Sequence, residues 1–247
     1  MKAITLSAGQ GKRLMPLTAD RPKCLLPVGD RTLIEWQIHS LARNGITEVV
    51  VVVGFMAEKV EERLARVKIP GLKIRLLHNP FYAVSDNLAS CFLARGEMEG
   101  DFVLMNGDTI SEPAIMQRLL QTAKMPITVT IDRKDNYDAD DMKVAVEGDR
   151  LIDIGKTLTS DVTNGESIGM LHFKGDGPAL FRNAVETVMK RPEGLKLWYL
   201  SVIAEIARAG HVGVASIEGL EWGEVDFPAD VDRANDLARR WIKAGKG

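Results

Sequence analysis

The sequence predicts an α/β fold in which a mostly parallel central sheet carries helices on both faces and continues into a small mixed or antiparallel extension. Three observations predict it. The first half alternates short β-branched runs with segments at helical spacing. Glu48–Val53 reads EVVVVV, apolar on both faces, as a strand between parallel neighbours and under helices has to be. Beyond about Pro126 the apolar runs shorten and follow one another without helical segments between them.

Ala3–Leu6 is the first strand and runs into a loop of small residues. Thr32–Asn44 sets Ile34, Ile38 and Leu41 on one helical stripe, with Gly45 where a left-handed C-terminal cap belongs. Glu48–Val53 is the second strand, Ala57–Arg66 a helix with Val60 and Leu64 on one face, and Lys73–Leu77 the third strand. Asp86 stands as the cap of a helix through Leu88 and Phe92. The fourth strand, Asp101–Met105, ends in Asn106-Gly107-Asp108, and ligands of open α/β sheets gather at such carboxyl ends. Ile127–Ile131, Lys143–Val146, Leu151–Ile154 and Ser167–Phe173 read as the strands of the extension. Pro178–Lys190 and Lys196–Ala209 read as helices, Val212–Ile217 as a last strand, and the stretch from Pro228 as an amphipathic helix. No repeat or Pro-rich linker intervenes, so the expectation is one Rossmann-like domain over 1–247, with halves at 1–125 and 126–247.

At 247 residues and 45% hydrophobic content the chain can bury a sizeable core. A formal charge of -2 leaves no polycationic footprint, which argues against a nucleic-acid partner. Two cysteines, Cys24 and Cys91, make neither a disulfide framework nor a clustered metal site. The N-terminal apolar run is too short to span a bilayer, so a cytoplasmic protein without a membrane partner is expected, and a homodimer is left open.

Ser7 to Leu14 is a stretch of small residues followed by two adjacent cations, directly after a strand, which suits backbone N–H groups set against phosphates. Residue identity excludes two common phosphate loops. A Walker A loop would need glycine at Leu6 and Ser or Thr at Arg13, and the dinucleotide fingerprint would need glycine at Leu14.

Taken with Arg21-Pro22-Lys23-Cys24-Leu25-Leu26-Pro27-Val28, this S-A-G-x-G-K-R-L stretch resembles the N-terminal signature of the nucleotidyltransferases that activate sugar phosphates and phosphocholine. The Y-x-x-x-D-N-x-x-S stretch from Tyr82 to Ser90 and the W-x-E-x-D stretch from Trp222 to Asp226 look closest to the bacterial phosphocholine cytidylyltransferase-like branch. The resemblance implies a nucleoside triphosphate, CTP favoured, bound by Leu6, Ala8, Gly9, Gly11, Lys12 and Gly107, with Asn79, Asn87 and Ser90 reading base and ribose. It implies that Arg13 and Lys23 balance the triphosphate charge and that Asp108 and Asp226 hold Mg2+, these four being the catalytic set. Glu224 and Asp230 are alternatives to Asp226. A small phosphorylated acceptor would meet Lys143, Lys156, Glu166 and Trp198, and the acidic run around Asp140 and Asp141, with Trp198, Tyr199 and Trp222, would suit a cationic acceptor.

The implied reaction is attack of an acceptor phosphate or phosphonate oxygen on the α-phosphorus, with pyrophosphate leaving. A phosphate monoester with a second pKa of about 6 needs no strong base at neutral pH, which agrees with the scatter of His39, His78, His172 and His211 outside any nucleophile motif. Two other readings are carried. One is a sugar-1-phosphate or inositol-phosphate nucleotidyltransferase, and the other is a catalytically silent nucleotide-sensing domain.

Overall fold

The structure, a computed structural model, describes residues 1–246. In chain order its strands and helices are β1 (Lys2–Ser7), β2 (Pro27–Val28), β3 (Arg31–Thr32), α1 (Leu33–Arg43), β4 (Glu48–Val53), α2 (Ala57–Ala65), β5 (Lys73–His78), α3 (Asn87–Leu93), β6 (Phe102–Asn106) and β7 (Thr109–Ser111). They continue with α4 (Pro113–Thr122), β8 (Ile127–Asp132), β9 (Lys143–Glu147), β10 (Arg150–Ile154), β11 (Gly165–Phe173), α5 (Gly177–Val188), α6 (Tyr199–Arg208), β12 (Val212–Ser216), β13 (Trp222–Glu224) and α7 (Pro228–Lys243). Two compact units draw on separated stretches of chain, so neither coincides with a sequential half. Unit 1 takes residues 1–83, 105–117 and 220 onward, and unit 2 takes 84–104 and 118–219.

In unit 1 the strands run β5-β4-β1, all parallel, with Lys2 opposite Glu48 and Glu48 opposite Lys73. The valines of β4 are buried, and five β-branched side chains in a row satisfy a strand packed on both faces. At the start of α1 the Glu35 carboxylate accepts from the Thr32 N–H and hydroxyl, each at 2.7 Å, which ties down a donor the helix leaves unpaired. Glu35 also receives Arg63 at 2.8 Å, locking α2 to α1. Burial opposes its charge, but Arg63 and the Thr32 donors prevail and hold its pKa below the usual glutamate value.

A core of unit 1 joins Leu14, Leu26, Val28, Leu33, Trp36, Ile110, Val225, Ala234, Ala238 and Trp241. Trp36 and Trp241 meet edge to face at 5.9 Å, and their indole N–H groups donate to Val28 O at 2.8 Å and Glu221 Oε2 at 2.9 Å. β7 and β13 pair antiparallel, Trp222 opposite Ser111 and Glu224 opposite Thr109, and the Val225 N–H extends the ladder to Asp108 O at 3.0 Å.

Unit 2 is the mixed part, ordered β11-β8-β12-β10-β9. β12 runs parallel to β8, while β11 with β8 and β10 with both β9 and β12 run antiparallel. All nine residues of β11 are buried. Phe102, Phe173, Phe181 and Tyr199 form an aromatic run with successive centroids 4.4, 4.8 and 6.4 Å apart. β6 is divided between the units.

The expected strands and helices are present within three residues at each end, and the mixed extension follows the parallel strands. α4, with Ile115, Met116 and Leu119 buried, has no counterpart among the sequence expectations. Among the described residues no helix is long and apolar enough to cross a membrane.

Candidate active site

Four charged side chains converge in unit 1, and each is held by an apolar neighbour in the core just described. Arg13 precedes Leu14, Lys23 lies three residues before Leu26, Asp108 two before Ile110, and Asp226 follows Val225. Lys23 Nζ donates to Asp108 Oδ2 at 3.0 Å and to Asp226 Oδ1 at 2.5 Å, while Arg13 donates to Asp226 Oδ2 at 2.5 Å. The Arg13 guanidinium also lies 4.7 Å from the centre of the Phe227 ring. Burial works against the charge on Lys23, but Asp108 and Asp226 outweigh it and hold the ammonium's pKa above the usual lysine value. Asp108 Oδ1 is buried and has no hydrogen-bond partner among the described residues.

Backbone geometry explains the two glycines that matter here. Gly107 donates its N–H to Leu6 O at 3.0 Å, and a Cβ on it would run into that oxygen and stand 2.7 Å from Ser7 Oγ. Gly11 has φ +76 and packs on the Lys23 side chain, where an added Cβ would lie 3.0 Å from Lys23 Cβ. Its carbonyl accepts from the Leu14 N–H and the Thr18 hydroxyl, both at 2.9 Å, which fixes the turn carrying Lys12 and Arg13. Lys12 and Gly9 are exposed, Leu6 is half-buried, and Ala8 is buried with its carbonyl accepting from the Phe55 N–H.

The remaining nucleotide candidates are held by the fold. Asn79 is buried at the end of β5, and its Oδ1 accepts from the Phe81 N–H at 2.8 Å, an Asx-type turn. In unit 2, Asn87 opens α3 with its Oδ1 accepting from the Tyr199 N–H at 2.9 Å, and Ser90 is buried. Of the alternatives to Asp226, Glu224 is exposed, and Asp230 closes the start of α7 by accepting from the Asp226 and Phe227 N–H groups at 2.9 and 2.7 Å. Asp230 is therefore a helix cap.

Unit 2 gathers the four acceptor candidates into one patch. Glu166 stands opposite Lys143 across the β11–β9 ladder, and Lys143 Nζ donates to Lys156 O at 2.9 Å. Lys156 Nζ lies 5.0 Å from the Trp198 ring centre and 3.7 Å from Asp140. Trp198 is exposed, whereas Tyr199 is fully buried in the aromatic run, so Tyr199 is a core residue and not a wall of any cage. Sequence reasoning missed Lys134, whose Nζ lies 2.8 Å from Asp141 and 2.9 Å from Glu166. A lone lysine in an acidic loop carries no signal, and only the fold brings it to β11. Burial, with Asp141 beside it, outweighs Lys134 and pushes Glu166 up to about 7.

Among the described residues no group of three or more His, Cys, Asp or Glu could hold a metal ion. Asp108 and Asp226 offer hard oxygen donors in a pair, and the unserved Asp108 Oδ1 fits an ion that needs few protein ligands.

A family model described as Nucleotidyl transferase matches residues 2–150. The chain is 32% identical over 245 residues to CMP-5'-(3-aminopropyl)phosphonate synthase of Streptomyces rubellomurinus, an alignment covering 95% of this chain and 38% of that protein, so it spans well under half of that relative's length. It is 24% identical over 257 residues to CTP:phosphoglutamine cytidylyltransferase of Campylobacter jejuni, covering 94% of this chain and 98% of that protein. The solved inositol-1-phosphate CTP transferase from T. maritima superposes with a TM-score of 0.81 at 23% identity, over 97% of this chain and 95% of that one, a likeness that shows the fold.

Proposed function

This chain belongs to the nucleotidyl transferase family, and from that premise we propose that it transfers CMP from CTP to a small acceptor carrying both a phosphate or phosphonate and an ammonium group. The observation that carries the acceptor is the two-signed patch of unit 2. Lys156 and Lys143 offer cationic groups to an anionic head, while Asp141 and Glu166 offer carboxyls to a cationic one. A neutral sugar or inositol phosphate would leave that acidic arm serving only Lys134. The aminopropylphosphonate named for one relative and the phosphoglutamine named for another support the same reading.

An acceptor oxygen attacks the α-phosphorus; the new P–O bond forms as the bond to the β-phosphate breaks, and pyrophosphate leaves with the electron pair. The attacking oxygen is already anionic at neutral pH, so no side chain has to take its proton. The work left to the protein is positioning and charge neutralisation. Lys23 and Arg13 face the triphosphate, and the Gly11 turn presents its backbone to the phosphates. Asp108 and Asp226 would hold Mg2+, which when bound supplies Lewis-acid stabilisation to phosphate oxygens.

Pyrophosphate release with magnesium tests the reading, with each nucleoside triphosphate set against phosphocholine, 2-aminoethylphosphonate, 3-aminopropylphosphonate, inositol 1-phosphate and glucose 1-phosphate. Turnover with CTP and an aminated acceptor is expected. Turnover confined to inositol or sugar phosphate would replace the acceptor assignment, and binding of nucleotide without turnover on any acceptor would favour a sensing domain.

A further inference from the structure

We propose a second task for Lys23: it is the exchangeable counter-ion through which this site takes a divalent cation only together with a triphosphate. The inference rests on the metal reading above, and its basis is the way the four charges of unit 1 close on one another. Two cations, Arg13 and Lys23, pair with two carboxylates, Asp108 and Asp226, without any ligand. One ammonium, 3.0 and 2.5 Å from the two carboxylates, spans the pair. An ion drawing an oxygen from each competes with it for Asp226, whose other oxygen Arg13 holds.

Displacement by a free ion is unfavourable. It would strand a lysine whose side chain is 13% exposed without an anion, and removing one partner of a buried pair costs far more than the pair contributes. A metal–triphosphate complex removes that penalty, because its phosphate oxygens replace the carboxylates as partners of Lys23 and Arg13 while the ion takes the carboxylates. Two further features fit the exchange. Asp108 Oδ1 is the buried oxygen the ammonium leaves unserved. Pro22 and Cys24, both buried, hold the backbone on either side of Lys23, so the exchange needs only the long, flexible lysine side chain to turn.

The test is a titration of the full chain with Mn2+, bound metal being read by water-proton relaxation, which separates protein-bound ion from the Mn2+–CTP complex. Wild type is expected to bind Mn2+ when CTP is present without acceptor, and to bind it at least about tenfold more weakly when CTP is absent. Lys23→Met should gain nucleotide-free binding by more than about tenfold, Lys23→Gln should do the same, and Asp108→Asn in the Lys23→Met background should abolish the gain. Equal binding in wild type with and without CTP would overturn the proposal. So would variants that melt like wild type yet gain nothing. If wild type binds no Mn2+ even with CTP, the metal reading itself fails and takes this one with it.

Discussion

In unit 1 two cations meet two carboxylates, and every one of the four sits within three residues of a buried apolar anchor. In unit 2 one ammonium, that of Lys134, serves two carboxyls, and both Lys134 and Asp141 belong to the loop between β8 and β9. The first arrangement is balanced and rigidly mounted, as a group that must place charge accurately needs to be. In the second, two carboxyls share one ammonium, and burial, with Asp141 beside it, pushes Glu166 up to about 7. Carboxyls that share a cation are suited to receive another, whereas carboxylates already paired with cations of their own must exchange them.

The largest expected effect tests the mounting. Trp241→Ala removes a fully buried indole from the core beneath the unit 1 charges, and a loss of about 3–5 kcal/mol in denaturant unfolding is expected. A loss below about 1 kcal/mol would show that this core does not brace the site. Next, Asp108→Asn should lower kcat/KM by about 2–4 kcal/mol in transition-state terms with the fold retained, since Lys23 keeps Asp226 as a partner. Unchanged turnover would remove the carboxylate from the chemistry.

Glu166→Gln sharpens the other side of the comparison. Its pKa is raised in the folded protein from an ordinary 4.5 to about 7, so between those values the native state holds a proton that the unfolded chain releases. The stability this gives is fully present below the lower value and is lost as pH rises through about 7. Wild type should therefore lose more stability between about pH 5 and pH 8 than the glutamine variant does. The same ionisation should lower wild-type KM for an aminated acceptor as pH climbs through about 7, and the variant should show a KM higher by roughly tenfold with no such trend. Parallel pH profiles in both proteins would detach Glu166 from the acceptor. The smallest effect is a control: Glu62→Ala deletes the exposed Arg66 partner on α2 and should change stability by less than about 0.5 kcal/mol.

Much of this was legible in the chain. The valine run of β4, the Ile34, Ile38 and Leu41 stripe of α1 with Gly45 after it, and the glycine loop followed by cations are local patterns, fixed by neighbours a few residues apart. Asp226 was reachable only through a resemblance, because what sets it beside Asp108 is the β7–β13 ladder, between two three-residue strands separated by much of the chain. α4 was missed although Ile115, Met116 and Leu119 follow a helical stripe. Lys134 was missed for a different reason. Its partner Glu166 comes to it by antiparallel pairing, with Glu166 opposite Asp132 on β8, and no spacing announces such a register.

The β7–β13 ladder also sets an order of events while the chain is being made. Arg13 and Lys23 emerge before Asp226 and the indole of Trp241, which come from the last stretch of unit 1. Until that stretch has left the ribosome, Lys23 and Arg13 have no Asp226 to hold and Trp36 no Trp241 to pack on. The four-charge group of a nascent chain therefore stays open until that stretch has emerged, and it closes in one step.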